Sequence, residues 1–196
     1  MTSLAGLYVP VRVYAKNGNR GQQMSWRQSI RSEDWLALRN WRDTLMQTVA
    51  EARTTPAGAA LDSLGPLVNP DAARIGVALP PGNYACRWYE LGGAAQFREF
   101  TAQPCIFGSG QSQAVSISVR QQRFVGQLFP DNARRSVFLG AVMLGDEQTP
   151  LRYGRDSLRD VVGLTERIGK NHWRLLIPDP PFAEGMDIVD IQPIQQ

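Results

Sequence analysis

A chain of 196 residues, 43% hydrophobic and 20% charged, is long enough to bury a full core without staples. Its net charge is only +3, and all but two of its 21 cations are arginines scattered among acids, so no basic tract marks a nucleic-acid surface. The longest apolar run falls far short of the roughly 18 residues that a membrane-spanning helix needs.

The first thirty residues are poorly defined by pattern. Over 3–15, Val9, Val11 and Val13 alternate with Tyr8, Arg12 and Tyr14, which reads as an edge strand. Pro10 and Arg12 interrupt the run and no cationic segment precedes it, so it is a poor signal peptide. The stretch 17–23 reads as a polar linker. The organisation expected is therefore a loose segment over 1–31 and a single domain over 32–196. Its helical part spans 32–65 and its antiparallel part 83–192.

The spacing predicts a long helix over 32–53. Ser32 can cap it, and Glu33 and Asp34 sit in the first turn, where the helix dipole favours acids. Trp35, Leu38, Trp41, Leu45, Met46, Val49 and Ala52 fall on one face. Arg42 lands inside that arc. It either snorkels or pairs with a carboxylate from the sheet. A second, short helix is expected over 55–65, with Thr55 as cap, Pro56 at the first position and Gly65 as the stop. The proline-rich stretch 66–81 reads as a loop.

Strands follow over 84–91, 97–101, 105–107, 114–120, 124–129, 136–144, 160–168, 172–177 and 186–191, most joined by short turns containing Gly, Asn or Asp. Val115, Ile117 and Val119 oppose Ser116, Ser118 and Arg120, so one face of that strand meets water. The run 137–144 is apolar on both faces and needs cover on both. Gly126, Gly140 and Gly163 sit mid-strand, where glycine weakens a sheet unless the strand bends. The fold class is thus α+β and mostly antiparallel β. A curled sheet or small β-barrel carries one long and one short N-terminal helix packed against it.

Chemistry is sparse. His172 is the sole histidine and lies with Arg174 on the polar face of its strand. No nucleophile elbow, Walker loop, dinucleotide fingerprint or zinc motif occurs. No cofactor or metal is implied, because two cysteines and one histidine cannot fill a zinc site. Asp146, Glu147, Asp156, Asp160 and Glu166 crowd one half of the chain, interleaved with arginines 152, 155, 159 and 167. A solvated salt-bridge lattice is the favoured reading, and a catalytic carboxylate pair the alternative.

Two charges face the apolar side by phase. Glu166 alternates with Val162, Leu164 and Ile168, and Arg87 with Ala85, Tyr89 and Leu91. Buried charges need partners. Glu166 with Arg87 or Arg42 is either a structural interior pair, the favoured reading, or the polar floor of a ligand pocket. Asp131, Arg134 and Arg135, in the turn after Phe129–Pro130, make either a cap and salt bridge, the favoured reading, or an anion site. Cys86 and Cys105 are either inert thiols or a bridge, and their spacing leaves both open.

The segments RNWRD, PPGNYACR followed by LG, LFPDNARRSVFLGAVMLGDE, YGRDSLRDVVGLTERIG, HWRLLIPDPPF and DIVDIQP occur here in order. Together they resemble an uncharacterised bacterial family, domain of unknown function 4893. The resemblance covers about 32–193 and implies no activity or catalytic residues. The family's members look exported, which implies a Cys86–Cys105 disulfide and a periplasmic or secreted location, with a cytoplasmic variant the alternative. The function expected is a non-enzymatic envelope protein, a binding or inhibitor-like module for a small molecule or an envelope protein. A hydrolase-like enzyme using a carboxylate pair and a structural partner of an envelope complex are the alternatives.

Overall fold

The computed structural model describes residues 25–194, apart from 95, 111, 112, 120 and 146. The expected edge strand over 3–15 and linker over 17–23 lie outside the described residues, as do Arg120 and Asp146.

The described chain opens with one helical turn, α1 (Trp26–Ser29), ahead of the long helix α2 (Ser32–Arg53) and the short α3 (Gly58–Ser63). Ser25 caps α1 in a capping box with Gln28, and Trp26 is buried. The boundaries of α2 match expectation, but its cap does not. Arg31 holds the N-cap position in extended backbone with no side-chain cap, and Ser32 is the first helical residue. The buried stripe is Leu38, Trp41, Leu45, Thr48, Val49 and Ala52. Trp35 and Met46 stay 37% and 53% exposed, because they lie at the edges of the arc, beyond the sheet. Trp35 stacks on Trp26 instead, ring centroids 5.3 Å apart. Thr48 fills the stripe with its hydroxyl donated to the Thr44 carbonyl, 2.9 Å away. The short helix begins at Gly58 rather than near Thr55, and Gly65–Leu67 adds a 3₁₀ turn. Thr55 Oγ1 accepts from the Ala57 N–H, so it organises the turn before α3.

Nine strands follow: β1 (Gly82–Gly92), β2 (Gln96–Glu99), β3 (Gln103–Phe107), β4 (Gln113–Val119), β5 (Gln122–Asn132), β6 (Arg135–Leu144), β7 (Asp160–Gly169), β8 (His172–Ile177) and β9 (Met186–Pro193). Each of the nine expected strands appears, most with longer ends. All pairings are antiparallel. β1 pairs with β9 over Tyr84–Leu91, which closes eight strands into a barrel and leaves β2 as an extra strand. Closure removes the sheet edges that would otherwise invite association. β1 manages three neighbours by splitting one edge: Gly82–Cys86 pairs with β3, and Tyr89–Gly92 pairs with β2.

The curl needs glycine where the wall folds most tightly. Gly126 and Gly140 face each other across β5 and β6. A Cβ on Gly126 would lie 2.4 Å from the Leu139 carbonyl oxygen and 2.5 Å from the Gly140 Cα, so no side chain fits.

The wall separates two cores. Phe107, Ile117, Phe124, Phe138, Leu175 and Val189 point into the barrel. Leu139, Val162, Leu164, Leu176 and Ile188 point outward, where Trp41, Leu45 and Val49 of α2 cover them. β6 is buried on both faces for this reason, as its apolar run requires. Cys86 and Cys105 are joined in a disulfide between β1 and β3, their Cα atoms 5.9 Å apart. No helix among the described residues is long and apolar enough to cross a membrane.

Candidate functional site

The outer face of the barrel carries a buried charge cluster. Glu166 on β7 and Arg174 on β8 stand directly across from each other, and both are fully buried. Glu166 Oε2 accepts from Arg174 Nε and Nη2 at 3.0 and 2.6 Å, and Oε1 accepts from Arg135 Nε at 2.8 Å. Arg174 Nη1 donates to the carbonyls of Pro66, Leu67 and Asn69 at 2.8–3.0 Å. The Arg135 guanidinium lies 4.6 Å from the Trp41 ring centroid, a cation–π contact. Five segments therefore meet at one carboxylate: α2, the 66–69 loop, β6, β7 and β8. Burial pushes the Arg174 guanidinium down, and Glu166 opposes that shift.

Glu166 points inward to the outer core as its phase predicts, but neither Arg87 nor Arg42 is its partner. Arg174 is the residue that alternation misplaced. The face of β8 that reads polar from His172 and Arg174 also carries Leu176, and the helices and the 66–69 loop cover it. The available signal was β6, apolar on both faces and two strands away. It shows that this part of the wall is covered outside, so an arginine there must be paired.

The other expected positions are more exposed. Arg87 keeps its phase with Tyr89 and Leu91 but lies beyond the helical cover, where it pairs with Glu99. Burial pushes the neighbouring Tyr89 hydroxyl up to about 12. Arg42 forms a two-pronged pair with Asp71, at 2.8 and 3.0 Å, so its carboxylate comes from the loop and not from the sheet. Asp131 pairs with Arg27 of α1. Arg134 donates to the Ala73 carbonyl, and its backbone N–H donates to Asn132 Oδ1. Arg87 and Glu166 thus lie apart, and Asp131 and Arg134 share the turn between β5 and β6, both bonded to Asn132, so the four occupy three places rather than one site. His172 Nε2 lies 2.6 Å from Asp190 Oδ1 and is partly exposed.

The carboxylates of the 146–166 stretch, where described, are tied to arginine. Glu147 and Asp156 contact Arg159, and Asp160 contacts Arg31. Elsewhere, Glu90 and Asp187 are cross-strand neighbours on β1 and β9, beside a pocket of about 40 Å³ at one end of the barrel. Among the described residues no group of three or more His, Cys, Asp or Glu is placed to hold a metal ion.

The largest concavity among those described measures about 720 Å³ and lies on the barrel's outer wall. Ala114, Val125, Gln127 and Leu139 form its floor. Phe129 and Ser29 close one side, and the loop from Thr149 to Tyr153 forms the other. Tyr153 fixes that loop: its hydroxyl donates to Asp34 and accepts from the Arg31 backbone N–H. Burial, and then the bond to Asp34, push the Tyr153 hydroxyl well above the usual phenol range, so it stays protonated as the donor. No sequence motif signals this groove, because its lining comes from a loop and three strands spread along the chain. A family model for a domain of unknown function, DUF4893, matches residues 26–191. The chain belongs to DUF4893. No curated protein and no solved structure is detectably similar to it. The DUF4893 match begins at Trp26, whose side chain already sits in the outer core.

Proposed function

We propose that this DUF4893 chain is a non-enzymatic binding module of the cell envelope, periplasmic or secreted, that takes a small molecule in the groove on its barrel wall. The groove's volume of about 720 Å³ carries the reading. Pockets for small ligands run from roughly 300 to 1,000 Å³, with an apolar lining and a few placed polar groups. Ala114, Val125, Phe129 and Leu139 supply the apolar surface, and Gln127, Ser29 and Arg152 the polar groups. The Cys86–Cys105 disulfide suits an oxidising compartment.

The buried Glu166–Arg174–Arg135 cluster fits a structural role. Arg174 donates to Glu166 and to three loop carbonyls, and Arg135 Nε donates to Glu166, so the cluster holds the 66–69 loop and α2 on the wall. A carboxylate-pair hydrolase is the weaker reading. Glu147, Asp156, Asp160 and Glu166 are each paired with an arginine, which ties up the carboxylates such chemistry would use.

The test is titration with the neutral fluorescent probe N-phenyl-1-naphthylamine. Saturable binding is expected for the wild type. It should be lost in Gln127→Trp, where an exposed floor residue becomes large enough to cover the apolar floor beside Leu139. Wild-type protein that takes up no probe would overturn the reading.

A further inference from the structure

Given that the groove is the binding site, we infer that its ligand is a single-chain amphiphile with an anionic head, the chain lying on the wall and the head at Arg152. The trough is apolar along the strands: Ala114 on β4, Val125 on β5 and Leu139 on β6 in its floor, and Phe129 on β5 in its side. These residues offer dispersion and hydrophobic contact but no charge, so they suit an aliphatic chain. Gln127 is the one floor residue with both a donor and an acceptor.

The rim differs from the floor. Arg152 lines the groove and is exposed, and it has no carboxylate partner among the described residues. Arg155 follows in the same turn, its backbone N–H donating to the Arg152 carbonyl at 3.2 Å, and it too has no carboxylate partner among the described residues. The acids around this rim are committed elsewhere. Glu147 and Asp156 pair with Arg159, Asp160 with Arg31, and Asp34 accepts from Tyr153. Arg152 and Arg155 are thus the cations of this turn with no carboxylate partner among the described residues, and Arg152 stands beside an apolar trough. A guanidinium presents a planar fork of donors that fits a carboxylate. An aliphatic chain ending in a carboxylate matches both parts, and a neutral chain matches only the trough.

The experiment displaces bound N-phenyl-1-naphthylamine with dodecanoate and with dodecanol, both below micelle-forming concentration, from wild type and from an Arg152→Glu, Arg155→Glu variant. Dodecanoate should displace the probe at least about tenfold more tightly than dodecanol from the wild type. The charge-reversed variant should melt at the wild-type temperature and lose the preference for dodecanoate, read as the ratio of the dodecanoate and dodecanol displacement constants within that variant. Equal displacement by the two ligands, or a preference that survives charge reversal, would overturn the ligand class and leave the groove reading in place. Failure of the wild type to bind probe, dodecanoate or dodecanol would overturn both.

Discussion

Two arginine–glutamate pairs stand on the outer wall of this barrel, Glu166 with Arg174 and Arg87 with Glu99, and they differ in almost everything but chemistry. The first is fully buried beneath α2 and the 66–69 loop; the second has both side chains more than 40% exposed. Burial is the leading influence on Arg174 and pushes it down, whereas at Arg87 the bond to Glu99 leads and pushes it up. Removing one partner of a buried pair strands a charge away from water, while an exposed charge is simply rehydrated. The same two residue types therefore act as a structural clamp in one place and as a surface contact in the other.

The largest effect should come from breaking the buried member. Glu166→Ala leaves Arg174 and Arg135 without their carboxylate and should cost roughly 3–5 kcal/mol in urea unfolding. Trp41→Ala removes both the helix's central apolar contact and the ring under Arg135, and should cost a similar ~3–5 kcal/mol. A helix that merely rests on the wall would show much smaller losses for both.

Reduction of Cys86–Cys105 comes next. The bridge closes a loop of 19 residues' separation and should contribute about 3 kcal/mol in the chain-entropy account. Intact-mass measurement with and without reductant gives the redox state of protein recovered from the periplasm. Two freely alkylated thiols there would contradict the envelope reading.

The exposed pair should respond least. Arg87→Gln should change stability by less than about 1 kcal/mol, and added salt should shrink even that. Asp71 sharpens the point through pH. The hydrogen bond from Arg42 holds its carboxyl below the usual range. Its folded pKa is thus lower than its unfolded one, so its contribution is present above the unfolded value of about 3.9 and is lost as pH falls through the folded value. Asp71→Asn should therefore lower stability slightly at neutral pH, by an amount that fades below about pH 4, and so flatten the acid limb of the stability curve.

The wall was legible in the sequence and its cover was not. Alternation at Val115, Ile117 and Val119, the doubly apolar run at 137–144 and the glycines at 126 and 140 report local sterics and burial, and they led to a curled antiparallel sheet. Glu166 was likewise legible, because its phase with Val162, Leu164 and Ile168 is a local property. Its partner was not. Arg174 becomes interior only when α2 and the 66–69 loop fold over β8, a long-range event with no local mark. The groove is hidden for the same reason: Arg152 and Tyr153 read as turn residues until the fold sets their loop beside β4, β5 and β6.

The buried carboxylate is a matter of stability, and the proposed binding is a matter of the groove. Probe affinity of Glu166→Gln, measured at a temperature where the variant is folded, tests that division most directly. The account predicts a lowered melting temperature, because Gln leaves the Arg174 charge unneutralised, together with wild-type affinity for N-phenyl-1-naphthylamine. An unchanged melting temperature with lost binding would contradict it, and would make Glu166 the floor of the site rather than the clamp beneath the helix.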